Sequence, residues 1–312
     1  MEKRNLRKAY GETLVELGGR NPNIVALEGD LGKSTMSCLF KEAFPERYFE
    51  MGIAEQNIAS TAAGLALTGK IPFLSTFATF AAGRAYDQIR CSIAIPRANV
   101  KICGSSCGLS DFGDGKTHQS VEDGNIIKAI PNMTVLNPVD AVETAKMMRA
   151  IAAIEGPAYI RINRNDLPVY TPEEGEFVVG KIYPIVDGSD AVIFATGAMV
   201  WKSVEAAGEL RGLGVSVQVV NVSTLKPLPA EEVAKYAAGK KAVVTAEEAN
   251  KIGGLGQGIA AILMGKTNVP FVQVGIDDEF GTSARSYEEL LARYGLSSGH
   301  IRAAVMRALG KN

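Results

Sequence analysis

Three short stretches of this 312-residue sequence carry side chains suited to chemistry. Gly52-Ile53-Ala54-Glu55-Gln56-Asn57 follows the strand-like Tyr48-Phe49-Glu50-Met51 and opens a helix. A carboxylate placed there stands at the carboxyl edge of a parallel sheet, facing the crevice where open α/β folds bind ligands. Glu55 equally fits an ordinary first-turn acid favoured by the helix dipole. The second stretch, Ser75 to Gln88, holds Phe77 and Phe80 three residues apart. A helix would bring both rings to one face, as core packing or as a platform for a flat cofactor. The third, Asp114-Gly115-Lys116-Thr117-His118-Gln119, carries one of only two histidines. His118 is either a working imidazole or a loop side chain satisfied by backbone, whereas His300, in Ser298-Gly299-His300-Ile301, has no comparable context and reads as structural.

Other motifs point away from nucleotides and metals. Gly253-Gly254-Leu255-Gly256-Gln257-Gly258 fails the dinucleotide fingerprint because Ile259 stands at its last glycine, so it reads as a helix start after a strand. Phe112-Gly113-Asp114-Gly115 precedes a loop rather than a helix and is set aside as a metal site. Cys38, Cys91, Cys103 and Cys107 form no CxxC pair and have no histidines nearby, which leaves them ordinary reduced thiols. Lys and Arg (33) nearly balance Asp and Glu (34), giving a net charge of −1 and no electrostatic footprint for nucleic acid or an anionic membrane. No window approaches the ~18 apolar residues of a membrane span, and the charged first residues lack an apolar leader, so the expected location is the cytoplasm.

Short apolar, β-branched runs must position these groups. Ile24 to Leu27, Ile71 to Leu74, Val100 to Ile102, Met133 to Leu136 and Ala158 to Ile162 read as buried parallel strands, with amphipathic stretches such as Asn57 to Leu67 as the helices between them. Val169 to Tyr183 is rich in Pro, Glu and Gly and reads as a linker. A second series follows at Ala191 to Ala195, Val215 to Val220, Ala242 to Thr245 and Phe271 to Val274. The expected fold class is α/β with two domains, each a mainly parallel sheet flanked by helices. The expected boundaries are 1–170, a linker at 171–188, and 189–312.

Taken together, Glu55 in its Ala-Glu-Gln context and Phe77 and Phe80 in Thr76-Phe77-Ala78-Thr79-Phe80 resemble the pyrimidine-binding domain of transketolases. The resemblance implies thiamine diphosphate as cofactor, with Glu55 on the aminopyrimidine ring nitrogen and both phenylalanines on the ring face. Gly29-Asp30-Leu31 resembles the family's ADL segment, which places Asp30 and Leu31 beside the cofactor. Asp114 to Glu122 is similar to DGPTHQPxE, with Lys116 and Ser120 in place of its prolines; Asp114 then reads a substrate hydroxyl and His118 sits beside the transferred two-carbon unit. Arg7, Ser34 and Arg164, the last in Arg164-Asn165-Asp166-Leu167, match the family's sugar-phosphate contacts. Two departures bear on the acceptor sugar rather than the cofactor: Gly104-Ser105-Ser106-Cys107 stands where a further phosphate-contacting histidine is usual, and Gly83 replaces an aromatic.

Full-length transketolases begin with a diphosphate-binding domain, and this chain is expected to do without one before its pyrimidine segment. The resemblance therefore implies an N-terminal partner subunit that supplies that domain and binds Mg, in an α₂β₂ assembly where two copies of this chain meet. It implies transfer of a two-carbon ketol unit between phosphorylated sugars in pentose phosphate metabolism. The same domains also occur in the β subunit of 2-oxo acid dehydrogenase decarboxylases; Arg84-Ala85-Tyr86-Asp87-Gln88 suggests deoxyxylulose-phosphate synthase, and a non-catalytic regulatory subunit is the alternative of a different class.

Overall fold

The runs of Val, Ile and Ala become the centres of two sheets in the computed structural model, which describes residues 1–311. In chain order the strands are β1 (Lys3–Asn5), β2 (Ile24–Glu28), β3 (Tyr48–Glu50), β4 (Ile71–Phe77), β5 (Lys101–Ser105), β6 (Thr134–Leu136), β7 (Ala158–Ile162), β8 (Asp166–Pro168), β9 (Tyr183–Val186), β10 (Ala191–Ala195), β11 (Val217–Asn221), β12 (Thr224–Lys226), β13 (Ala242–Asn250) and β14 (Phe271–Ile276). The first sheet has the order β12-β6-β7-β5-β4-β2-β3 and the second β14-β13-β10-β11-β9, while β1 pairs with β8 alone. Every residue of β2, β5, β7, β10 and β11 is buried, as strands covered by helices on both faces must be. Pairing within each sheet is parallel except at one edge, where β12 runs antiparallel to β6 and β9 antiparallel to β11.

Two features depart from the pattern expected of the sequence. Phe77 and Phe80 do not share a helical face: β4 continues to Phe77, because Thr76 and Phe77 pair with Gly104 and Ser105 of β5, and Phe80 opens a wide π-helical turn, Phe80–Arg84. The sheet ladder overrides the helical spacing. Secondly, β12, which the sequence assigns to the C-terminal unit, joins the first sheet, with Thr224 opposite Leu136. Its Lys226 Nζ donates to the carbonyls of Lys128 and Ile130 at 2.9 and 2.5 Å, capping the C-terminal end of helix Asp123–Ala129. Among the described residues, no helix is long and apolar enough to cross a membrane.

Buried carboxylates bind the two units together. Glu143, on helix Ala141–Ala153, accepts from the Val139 N–H at 2.7 Å, from Asn221 Nδ2 at 3.0 Å and from the Ser223 hydroxyl. Glu248, on β13, accepts from the Leu109 N–H and the Tyr287 hydroxyl, both at 2.7 Å, and from Asn163 Nδ2 at 3.3 Å. Burial pushes both carboxyls, and that of Glu28 in β2, up to about 7. A carboxyl raised in the folded state binds a proton that the unfolded chain has already released, so stability falls as pH rises. Urea unfolding of this chain should therefore show stability declining between about pH 4.5 and 7 and levelling above, with up to about 3 kcal/mol from each group. A midpoint that rises over that window would refute this assignment.

Candidate active site

Helix Glu55–Leu67 begins directly on Glu55, with no side-chain cap from Ala54, and Ile58, Ala59, Ala62 and Ala63 seat its inner face. Small residues allow close approach to the sheet, so the first-turn carboxylate is carried inward: Glu55 is 2% exposed. Its Oε1 accepts from Arg84 Nη1 at 3.0 Å. An ionised carboxylate has about four acceptor positions, so capacity remains for another donor. Arg84 in turn lies over the Phe80 ring at 4.1 Å. The Phe77 and Phe80 rings are stacked with centroids 5.9 Å apart and planes 18° apart. His118 meets both edge-on, at 6.1 and 5.5 Å. Glu55, Phe77, Phe80 and His118 thus converge, and Arg84 joins them, a neighbour that nothing in its Arg-Ala-Tyr-Asp-Gln context reveals.

His118 is placed by a loop that the C-terminal unit holds down. Its Nδ1 lies 2.9 Å from the Thr117 hydroxyl, and the residue follows the 3₁₀ turn Gly115–Thr117. Asp114, exposed, stands just before that turn. Gly115 has φ of 76°, and a Cβ there would come 2.5 Å from the Ser283 hydroxyl, so both conformation and space require glycine. Gln119 Nε2 donates to the carbonyls of Asp111 and Thr282, each at 3.0 Å, and Glu248 holds Leu109 upstream. Sequence patterning missed this dependence because Thr282, Ser283 and Glu248 are more than a hundred residues away.

A second group forms where β2 ends. Asp30 adopts the left-handed region (φ 62°), and its N–H donates to Glu50 at 2.8 Å while the Leu31 N–H donates to Glu28 at 2.7 Å. The short helix Gly32–Thr35 follows, and the Ser34 carbonyl accepts from Arg7 Nη1 at 2.9 Å. Burial, together with the Arg164 guanidinium nearby, pushes Arg7 below its ordinary value. Arg164 itself is ion-paired with Asp111. Arg7, Ser34 and Arg164 are therefore neighbours, and Asp111, which the sequence reading did not single out, is the unexpected member. The His300 ring Nδ1 lies 2.7 Å from the Ser297 hydroxyl at the start of its own helix, and all four cysteines are free thiols.

A two-unit α/β chain with a buried helix-start carboxylate beside stacked aromatic rings defines a class that comparison with known proteins makes definite. Residues 2–169 match the transketolase pyrimidine-binding domain and residues 180–301 the transketolase C-terminal domain; the chain belongs to the transketolase family. A Methanocaldococcus jannaschii protein assigned as a transketolase C-terminal section is 42% identical over 99% of this chain and 97% of its own length. The 6-deoxy-6-sulfo-D-fructose transketolase subunit of a Clostridium species is 40% identical, over 97% of this chain and 94% of that protein. A solved structure titled as a split gene transketolase, inactive beta4 tetramer, is 44% identical with a TM-score of 0.88, covering 98% of both chains.

Proposed function

We propose that this chain is the C-terminal subunit of a heteromeric transketolase, moving a two-carbon ketol unit between phosphorylated sugars with thiamine diphosphate. The observation that carries the reading is the Glu55 carboxylate, 2% exposed beside the stacked Phe77 and Phe80. A buried acceptor with spare capacity next to aromatic faces fits a flat heteroaromatic ring that needs one nitrogen held. Thiamine diphosphate, when bound, supplies the electron sink for breaking and making the carbon–carbon bond. Glu55 holds a proton at the pyrimidine ring nitrogen. Phe77 and Phe80 cover the ring face and exclude water, with Asp30 and Leu31 at its margin. His118 moves or holds a proton beside the reacting carbons, Asp114 receives a sugar hydroxyl, and Arg7, Ser34 and Arg164 take the terminal phosphate.

Metal-holding carboxylates belong, on this reading, to an N-terminal subunit that carries the diphosphate-binding domain and Mg in an α₂β₂ assembly. The solved split gene transketolase supports the same dependence, since its beta4 tetramer is described as inactive. Mixing this chain with its candidate N-terminal subunit, thiamine diphosphate and magnesium should give transfer from xylulose phosphate to ribose phosphate that neither subunit shows alone. Decarboxylation of a 2-oxo acid without ketol transfer would move the assignment to the dehydrogenase β subunits. Complex formation with neither activity would point to another substrate or to a regulatory subunit.

A further inference from the structure

Asp111 has a carboxylate that the proposed phosphate pocket does not need. It is 3% exposed, and its ion-pair partner is Arg164, one of the two guanidiniums assigned to the sugar's terminal group. Its position is built rather than incidental: Gln119 Nε2 donates to the Asp111 carbonyl at 3.0 Å, and Asn165 Nδ2 donates to the Ser110 carbonyl at 3.0 Å. Arg164's charge is thus already engaged by Asp111, with Arg7 close by, so part of the pocket's positive charge is compensated before any ligand enters. A phosphate dianion entering here must share Arg164 with a fixed negative charge. The repulsion scales with the ligand's charge, so a dianion loses about twice what a monoanion loses, and a hydroxyl loses nothing and can donate to Asp111.

We propose that Asp111 is a specificity-determining residue that, by holding Arg164, lowers the pocket's preference for a phosphate dianion and admits sugar ends that are uncharged or singly charged. This rests on the transketolase reading above. Discrimination built from an internal opposing charge is a general device, since specificity is a difference between two affinities.

The test uses the reconstituted complex with one donor held constant. Asp111→Asn keeps the side chain's shape and should raise the ratio of kcat/KM for ribose 5-phosphate to that for ribose about tenfold, through KM for the phosphorylated sugar. Inorganic phosphate, titrated calorimetrically, should bind the Asp111→Asn complex about tenfold more tightly. In an Arg164→Ala background both effects should shrink to what direct repulsion by Asp111 leaves, because the shared guanidinium is gone, whereas a merely structural role for Asp111 would give the same change in both backgrounds. An unchanged ratio, or a parallel shift for both sugars at unchanged melting temperature, would overturn the proposal. Should the Asn variant not fold, Asp111→Ser serves the same comparison. If the wild-type complex transfers no ketol unit, the function reading fails, and the phosphate titration alone then decides the role of Asp111.

Discussion

Glu55→Gln should lower turnover of the reconstituted complex by at least about 10²-fold, and up to the ~10⁴-fold typical of lost proton-transfer assistance. The substitution isolates the proton. Glutamine has the same shape, and its amide oxygen can still accept from Arg84 Nη1, so the 3.0 Å contact survives. Arg84 is 47% exposed, and water can solvate it when the carboxylate's charge is gone. No stranded buried cation results, and the melting temperature should stay within a few degrees of wild type. What is lost is the ability to hold or release a proton at a ring nitrogen, which an amide cannot do. Steady-state transfer by the wild-type and variant complexes, at matched cofactor saturation, decides the matter. Turnover within threefold of wild type would remove Glu55 from the chemistry and leave it as an ordinary first-turn acid.

That ordinary reading was open while only the sequence around Glu55 was in view, and its burial is what separates the two. Local pattern carried much of the scaffold. Ala191 to Ala195, a continuous apolar run, is β10 with identical bounds, as a strand covered on both faces requires, and Ala158 to Ile162 is β7 with identical bounds although the buried Arg161 interrupts its apolar run. The glycine-rich run at Gly253 to Gly258 does open a helix, Leu255–Leu263, after β13. Neither the extension of β4 to Phe77 nor the pairing of β12 with β6 was legible, since both depend on a neighbouring strand distant in sequence. The Asp111–Arg164 pair escaped for the same reason: the two residues lie 53 positions apart, and a lone aspartate in a polar loop gives no local sign of its partner.

Asp123→Ala should cost about 3 to 5 kcal/mol of stability, because it leaves a buried guanidinium without a counter-charge. Arg161 is 2% exposed and Asp123 fully buried. Two hydrogen bonds, Nε to Oδ2 at 2.9 Å and Nη2 to Oδ1 at 2.8 Å, make the pair bidentate, and the Tyr159 hydroxyl adds a third at 2.9 Å. The remaining contact of Arg161, to the Glu248 carbonyl at 3.5 Å, is too long to replace the carboxylate. Asp123 opens the helix that follows the His118 loop, and β13 lies across Arg161 from it, so the damage should reach the junction of the two units. Urea unfolding measures the loss, and a loss below about 1 kcal/mol would show that Arg161 is solvated some other way. Replacing both residues by apolar ones of similar volume, Asp123→Leu with Arg161→Met, should recover part of the stability, because the charge that needed a partner has gone with the partner.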